Sequence, residues 1–192
     1  MSTDTPTTGA DQTLVPSAPK TFESDGTITL ATGELAYQSK AGWVRLRGGA
    51  NETEQAELFF TYYRAVAPSA TRPITFVFNG GPGAASAYLH LGAMGPRRVA
   101  THPDGTLPKA PATLVDNQET WLGFTDLVFI DPVGTGLSRT LGKDDDKDKQ
   151  DDTFYWNVEN DLDSLCDFVE LFLTENKRWS SPVFIAGESY GG

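Results

Sequence analysis

Cysteine, histidine and cationic residues are all scarce in this sequence, and each scarcity excludes something. Cys166 is the sole cysteine among 192 residues, so no intrachain disulfide staples the fold. The sequence has 15 Lys and Arg against 26 Asp and Glu, a net charge of −11. Nucleic acids and anionic membranes need clustered cations, so neither is expected as a partner. No stretch approaches the roughly 18 apolar residues of a membrane-spanning helix. Met1 to Lys20 has neither the basic start nor the apolar run of a secretory signal, which makes the cytoplasm the expected location.

What remains suits one sizeable domain: 39% hydrophobic and 21% charged residues are enough for an ordinary core. Residues 1–21, rich in Thr, Ser, Pro and Asp, read as a disordered lead-in to a domain covering 22–192. From Thr27 the pattern turns strand-like: Thr27–Leu30, Leu35–Tyr37, Trp43–Leu46, then the aromatic-rich Ala56–Val66. Gly26, Gly33, Gly42 and Gly48-Gly49 punctuate these runs and are expected to be turns in an antiparallel meander.

Three nearly continuous apolar runs follow, at 73–78, 127–130 and 182–186. Each is the pattern of a strand buried on both faces, and each ends in a glycine-rich loop. Between the second and third, Val158, Leu162, Leu165, Val169, Phe172 and Leu173 repeat at helical spacing, predicting a crossover helix over roughly 156–179. Lys177 and Arg178 are placed where a helix dipole favours cations. Cys166 borders the apolar stripe and is expected to be a buried structural thiol. The fold class is therefore α/β, a mixed sheet whose loops gather at the strand C-termini, where ligands bind.

The chemistry concentrates in those loops. Gly187-Glu188-Ser189-Tyr190-Gly191 matches G-x-S-x-G directly after a strand, the context of a nucleophile elbow. Read locally, it is also compatible with a serine in an ordinary glycine-rich turn. Gly80-Gly81 can bring backbone N–H groups to a developing oxyanion, with Tyr190 N–H as the second donor. Two rival readings of the first loop fail. No Lys follows it as a phosphate loop requires, and Ser86 stands where a dinucleotide fingerprint needs its last glycine. Asp144, Asp146 and Asp148 alternate like a calcium loop, but Lys149 and Tyr155 break that pattern, leaving a surface charge run and no metal site.

With these residues in place, the sequence resembles the serine carboxypeptidase family, acid-active exopeptidases of the α/β-hydrolase fold. Phe78–Gly83, Asp131–Ser138 and Ile185–Gly192 match in order and spacing, with weaker signatures at Gly95-Pro96 and Asn117–Trp121. The resemblance spans about residues 58–192. It implies an α/β-hydrolase-type mixed sheet with antiparallel N-terminal strands, cut after the elbow. It implies Ser189 as acylating nucleophile, the N–H groups of Gly81 and Tyr190 as oxyanion hole, and Asn79, Gly80 and Glu188 as holders of a peptide's free C-terminal carboxylate. No cofactor is implied. Glu188 can meet a carboxylate only when protonated, which would give an acidic optimum; the alternative is a structural hydrogen-bonding residue.

Two departures stand out. The family has Glu two residues before its Gly-Pro, and here that position is Ala93, so the paired-carboxylate device is incomplete. In α/β-hydrolases the acid and histidine follow the serine, yet three residues follow Ser189. His90 and His102 both precede it and are expected to be structural or surface residues. The chain therefore reads as part of a hydrolase lacking its Asp and His and inert alone. The alternatives are a non-catalytic, partner-binding fragment, or a parent esterase or acyltransferase.

Overall fold

The computed structural model describes residues 20–48, 53–66, 72–141 and 152–192. The expected disordered lead-in, apart from Lys20 and Thr21, and nearly all of the acidic run at 143–152 lie outside these residues. The strands are β1 (Phe22–Leu30), β2 (Gly33–Gly48), β3 (Thr53–Ala65), β4 (Ile74–Phe78), β5 (Arg97–Val99), β6 (Leu114–Asp116), β7 (Asp126–Ile130), β8 (Arg139–Thr140) and β9 (Val183–Gly187). The main sheet runs β1-β2-β3-β7-β4-β9, with β8 pairing β3. Antiparallel pairing holds from β1 through β3 to β7, and β7, β4 and β9 are parallel. This is the mixed α/β sheet expected from the sequence. β5 and β6 form a separate two-stranded ribbon.

Two of the predicted turns are strand interior. β2 runs unbroken through Gly42, which pairs with Phe60; a Cβ there would lie 2.8 Å from Thr21 Cγ2. Gly26 lies within β1 opposite Tyr37, whose ring would meet a Cβ at 2.5–2.8 Å. Both glycines mark close approaches, the other meaning of glycine within a strand pattern.

All ten residues of β4 and β7 are buried, as their apolar runs require. One face, with Ile74, Phe76, Phe78, Val128 and Ile130, packs under helix α2 (Val158–Glu175) through Phe168, Phe172 and Leu173. The other, with Val77, Leu127 and Phe129, packs on Ile28, Tyr37 and Leu122. Phe172 meets Phe60, Tyr62 and Phe76 edge-on at 5.1–5.7 Å, a favoured aromatic geometry. The helix begins where Asn157 Oδ1 accepts the N–H of Asn160 (3.0 Å), a side-chain N-cap.

The third run departs from expectation. β9 pairs along one edge with β4, and Val183, Phe184 and Ile185 are exposed, Ile185 by 71%. Among the described residues β9 pairs with β4 alone, and α2 packs on β4 and β7. The helical stripe also differs: Val158 and Leu162 are exposed while Phe168, outside the predicted stripe, is fully buried. Cys166 is likewise exposed rather than a buried thiol.

Arg178 does not serve the helix dipole. The helix ends at Glu175, and Arg178 turns inward to Asp126, 1% exposed at the start of β7. Asp126 Oδ1 accepts from Arg72 Nε (2.7 Å) and Ala65 N (3.1 Å), and Oδ2 accepts from an Arg178 terminal nitrogen (2.7 Å). Arg178 also donates to Tyr62 Oη, Ser181 Oγ and the carbonyl of Arg72. Burial first, then the Asp126 charge, push the Tyr62 phenol up to about 12. The cluster joins the N-terminal ends of the parallel strands. Arg178→Met, which leaves buried Asp126 with one cationic partner, is expected to cost about 3–5 kcal/mol. Arg178→Lys should recover only part, because one ammonium cannot span the same acceptors. Urea midpoints with unchanged m-values would measure both.

Candidate active site

Parallel pairing of β4, β7 and β9 brings the loops that follow them to one end of the sheet. The loop after β9 carries Ser189. Glu188 is extended (φ −126°), and its N–H continues the ladder to Phe78 O at 3.2 Å. Ser189 then takes φ +58°, a left-handed conformation costing a non-glycine residue about 1–2 kcal/mol. The chain curls at once into a short helical turn, with Gly191 N donating to Glu188 O (3.0 Å) and Gly192 N to Ser189 O (3.2 Å). Strand, left-handed serine and helical turn are the setting in which a nucleophile elbow is built.

Space explains the glycines around it. A Cβ at Gly187 would fall 1.7 Å from Gly191 O, and one at Gly191 would fall 2.7 Å from Asn79 O. The first loop, after β4, sits directly against the elbow. A Cβ at Gly80 would lie 2.5 Å from Glu188 O, 2.7 Å from Ser189 Cβ and 2.7 Å from Tyr190 N. Gly81 follows at φ +120°. Gly80, Ser189 and Tyr190, grouped from sequence, are thus brought together. Asn79 is buried beside them, and its Oδ1 accepts the N–H of Leu89 at 2.9 Å. Glu188 is exposed on the elbow.

The second loop, 131–138, works through Asp131, which sequence reading treated only as a motif letter. Its carboxylate accepts the N–H of Ser86 (2.9 Å) from the first loop's continuation and of Leu137 (3.1 Å) from its own. Burial raises its pKa, and these two N–H groups oppose the rise. The Ser86 hydroxyl donates to Ile130 O, and the Ser138 hydroxyl donates to Asp131 O (2.6 Å). A Cβ at Gly136 would land 2.0 Å from Asp131 Oδ2. Asp131 therefore clamps two of the three loops together. The available signal was an acidic residue ending a buried strand and followed by a glycine-rich turn. The Asn117–Trp121 signature also has a holding role. Asn117 Nδ2 donates to the carbonyls of Ala93 (2.6 Å) and Gly95 (2.8 Å), and Thr120 Oγ1 to Met94 O (2.7 Å). Ala93 itself is exposed.

Behind the elbow lies an apolar cavity of about 600 Å³ between α2 and β9, lined among others by Val158, Leu162, Leu165, Val169, Ile185 and Tyr190. Ser189 is not among its lining residues. The two histidines among these residues sit in different settings. His90 is engaged with Tyr63 (2.7 Å) and stacked on Phe129, and burial pushes its pKa down to about 4. His102 is exposed in a turn, where its backbone N–H donates to Thr106 O.

Residues 30–192 match the family model for serine carboxypeptidase, which takes the resemblance back through β2 and β3. Serine carboxypeptidase-like 5 of Arabidopsis thaliana is 27% identical over 163 residues, covering 83% of this chain and 34% of that protein. A serine carboxypeptidase family member of Dictyostelium discoideum is 28% identical over 145 residues, 74% of this chain and 30% of its own length. A pheromone-processing carboxypeptidase of Saccharomyces cerevisiae is 31% identical over 164 residues, 81% of this chain and 21% of its own. The chain thus spans about a third or less of these relatives.

Gly80→Ala tests the contact between first loop and elbow. It is expected to cost about 1–3 kcal/mol through the forced shift. Gly83→Ala, with φ +97° but nothing within 4 Å, should cost only about 1 kcal/mol. Equal thermal shifts for the two variants would contradict the packing described.

Proposed function

Because the chain belongs to the serine carboxypeptidase family, we propose that it carries the nucleophile portion of a hydrolase that releases C-terminal residues from peptides through an acyl-enzyme at Ser189. The observation that carries this reading is the left-handed Ser189 at the end of β9, with Gly80 packed against its Cβ and against Tyr190 N. In this reading Ser189 Oγ attacks the last peptide carbonyl and its proton passes to a histidine. The N–H groups of Gly81 and Tyr190 receive the developing oxyanion. The C–N bond then breaks, the protonated amine leaves as the free C-terminal residue, and water hydrolyses the ester.

Asn79, Gly80 and Glu188 would hold the free carboxylate. The histidine and its acid partner would come from polypeptide outside these 192 residues, because in α/β-hydrolases both follow the serine. One observation favours a broader acyl-transfer or esterase activity. Ala93 stands where the family has a second glutamate, so the selection for a free carboxylate would be weakened.

The test is hydrolysis by the protein extended beyond Gly192, using N-blocked dipeptides with a free carboxylate and their C-terminal amides. Free acids are expected to be cleaved faster, with the margin narrowed by Ala93. Ser189→Ala should lower kcat by on the order of 10⁴ or more. No release of C-terminal residues, or activity surviving Ser189→Ala, would overturn the reading.

A further inference from the structure

His90 is a half-buried titratable group that the proposed chemistry does not use, and its surroundings are specific. Its ring lies parallel to Phe129 of β7, with centroids 4.6 Å apart and planes at 25°. Its Nε2 shares a hydrogen bond with Tyr63 Oη of β3 at 2.7 Å. Burial keeps the imidazole neutral, so this bond joins two uncharged groups. The backbone around it is equally committed. His90 N donates to Ser86 O (2.9 Å), and His90 O accepts from Gly95 N (3.0 Å). A Cβ at Gly95 would lie 2.4 Å from that carbonyl oxygen and 2.9 Å from the imidazole ring. Gly95 therefore lets the π-helical turn His90–Met94 close on its first residue.

The segment 86–90, which contains the short helix α1 (Ala87–Leu89), is thus fixed at both ends. Ser86 is held by Asp131 and Ile130, and His90 by Tyr63 and Phe129. Between those anchors the N–H of Leu89 meets Asn79 Oδ1. An N–H can only donate, so the amide of Asn79 must offer it the oxygen. Its NH₂ then lies at the other end of the amide plane.

We propose that His90 is a positioning residue for Asn79: anchored to Tyr63 and Phe129, it holds the Leu89 N–H that turns the Asn79 amide so that its NH₂ end faces a bound anion. The anion's identity as a peptide carboxylate rests on the functional reading above; the positioning itself does not. Phe129 has no ionisable group. Tyr63 is the titratable side chain on His90, and Tyr37 packs in turn on Tyr63 at 5.7 Å between centroids.

Amide hydrogen exchange at Leu89 reads the hydrogen bond directly, with Phe76 in β4 reporting the global fold. Tyr63→Phe keeps the ring and removes the hydroxyl; His90→Leu removes the ring nitrogens. Each is expected to speed Leu89 exchange about fivefold, the loss of one ordinary hydrogen bond's worth of protection, with Phe76 unchanged. His90→Gln, which can still bond to Tyr63, should restore most of the protection. In an Asn79→Ala background neither change should add to the effect, because the acceptor is already gone. Unchanged Leu89 exchange in Tyr63→Phe and His90→Leu would overturn the proposal, as would an equal acceleration with Asn79 absent. Should His90→Leu fail to fold, Tyr63→Phe decides the matter alone. An unreactive Ser189 with this exchange pattern intact would count against the hydrolase reading and for the positioning.

Discussion

The contact on which the site depends is the seating of one backbone loop on another without side chains between them. Gly80 lies where any Cβ would strike Glu188 O, Ser189 Cβ and Tyr190 N. Because that space is empty of side chain, the loop after β4 and the loop after β9 touch through their main chains. The strain at Ser189 (φ +58°) persists because Gly187 and Gly191 let the turn close beneath it. A strained conformation survives only where its surroundings over-determine it.

The sheet divides its labour between its two ends. At the N-terminal ends of the parallel strands, Asp126, Arg72 and Arg178 form a buried charged cluster that ties β7 to the segments leading into β4 and β9. At the C-terminal ends the ties are backbone N–H groups received by one carboxylate, Asp131. The first arrangement fixes the strands' relative placement. The second fixes the loops that placement brings together.

Much of this was legible in the sequence, and the misses share a cause. β4 and β7 were readable because a strand covered on both faces must be apolar throughout. The G-x-S-x-G and Asn-Gly-Gly-Pro-Gly segments were readable because their glycines answer steric demands that recur wherever such loops pack. Gly26 and Gly42 misled because a glycine needed for close approach looks, in one dimension, like a glycine needed for a turn. β9 is exposed because, among the described residues, it pairs with β4 alone, which an apolar run does not foretell. Nor did helical spacing foretell that Phe168 is buried and Cys166 exposed. Asp131, Asn117 and His90 do their work through contacts 24 to 45 residues away in sequence, and no local pattern announces such partners. The family match over residues 30–192 adds the context that the loops alone lacked.

Covalent labelling addresses the central claim most directly: that these loops present Ser189 as the acylated atom, with the base supplied from outside the 192 residues. Treating the protein extended beyond Gly192 with a fluorophosphonate, then mapping the adduct by peptide mass spectrometry, should place it on Ser189, with none in Ser189→Ala. The 192-residue chain should remain unmodified. An adduct on a different serine, or equal labelling of the 192-residue chain, would contradict the account.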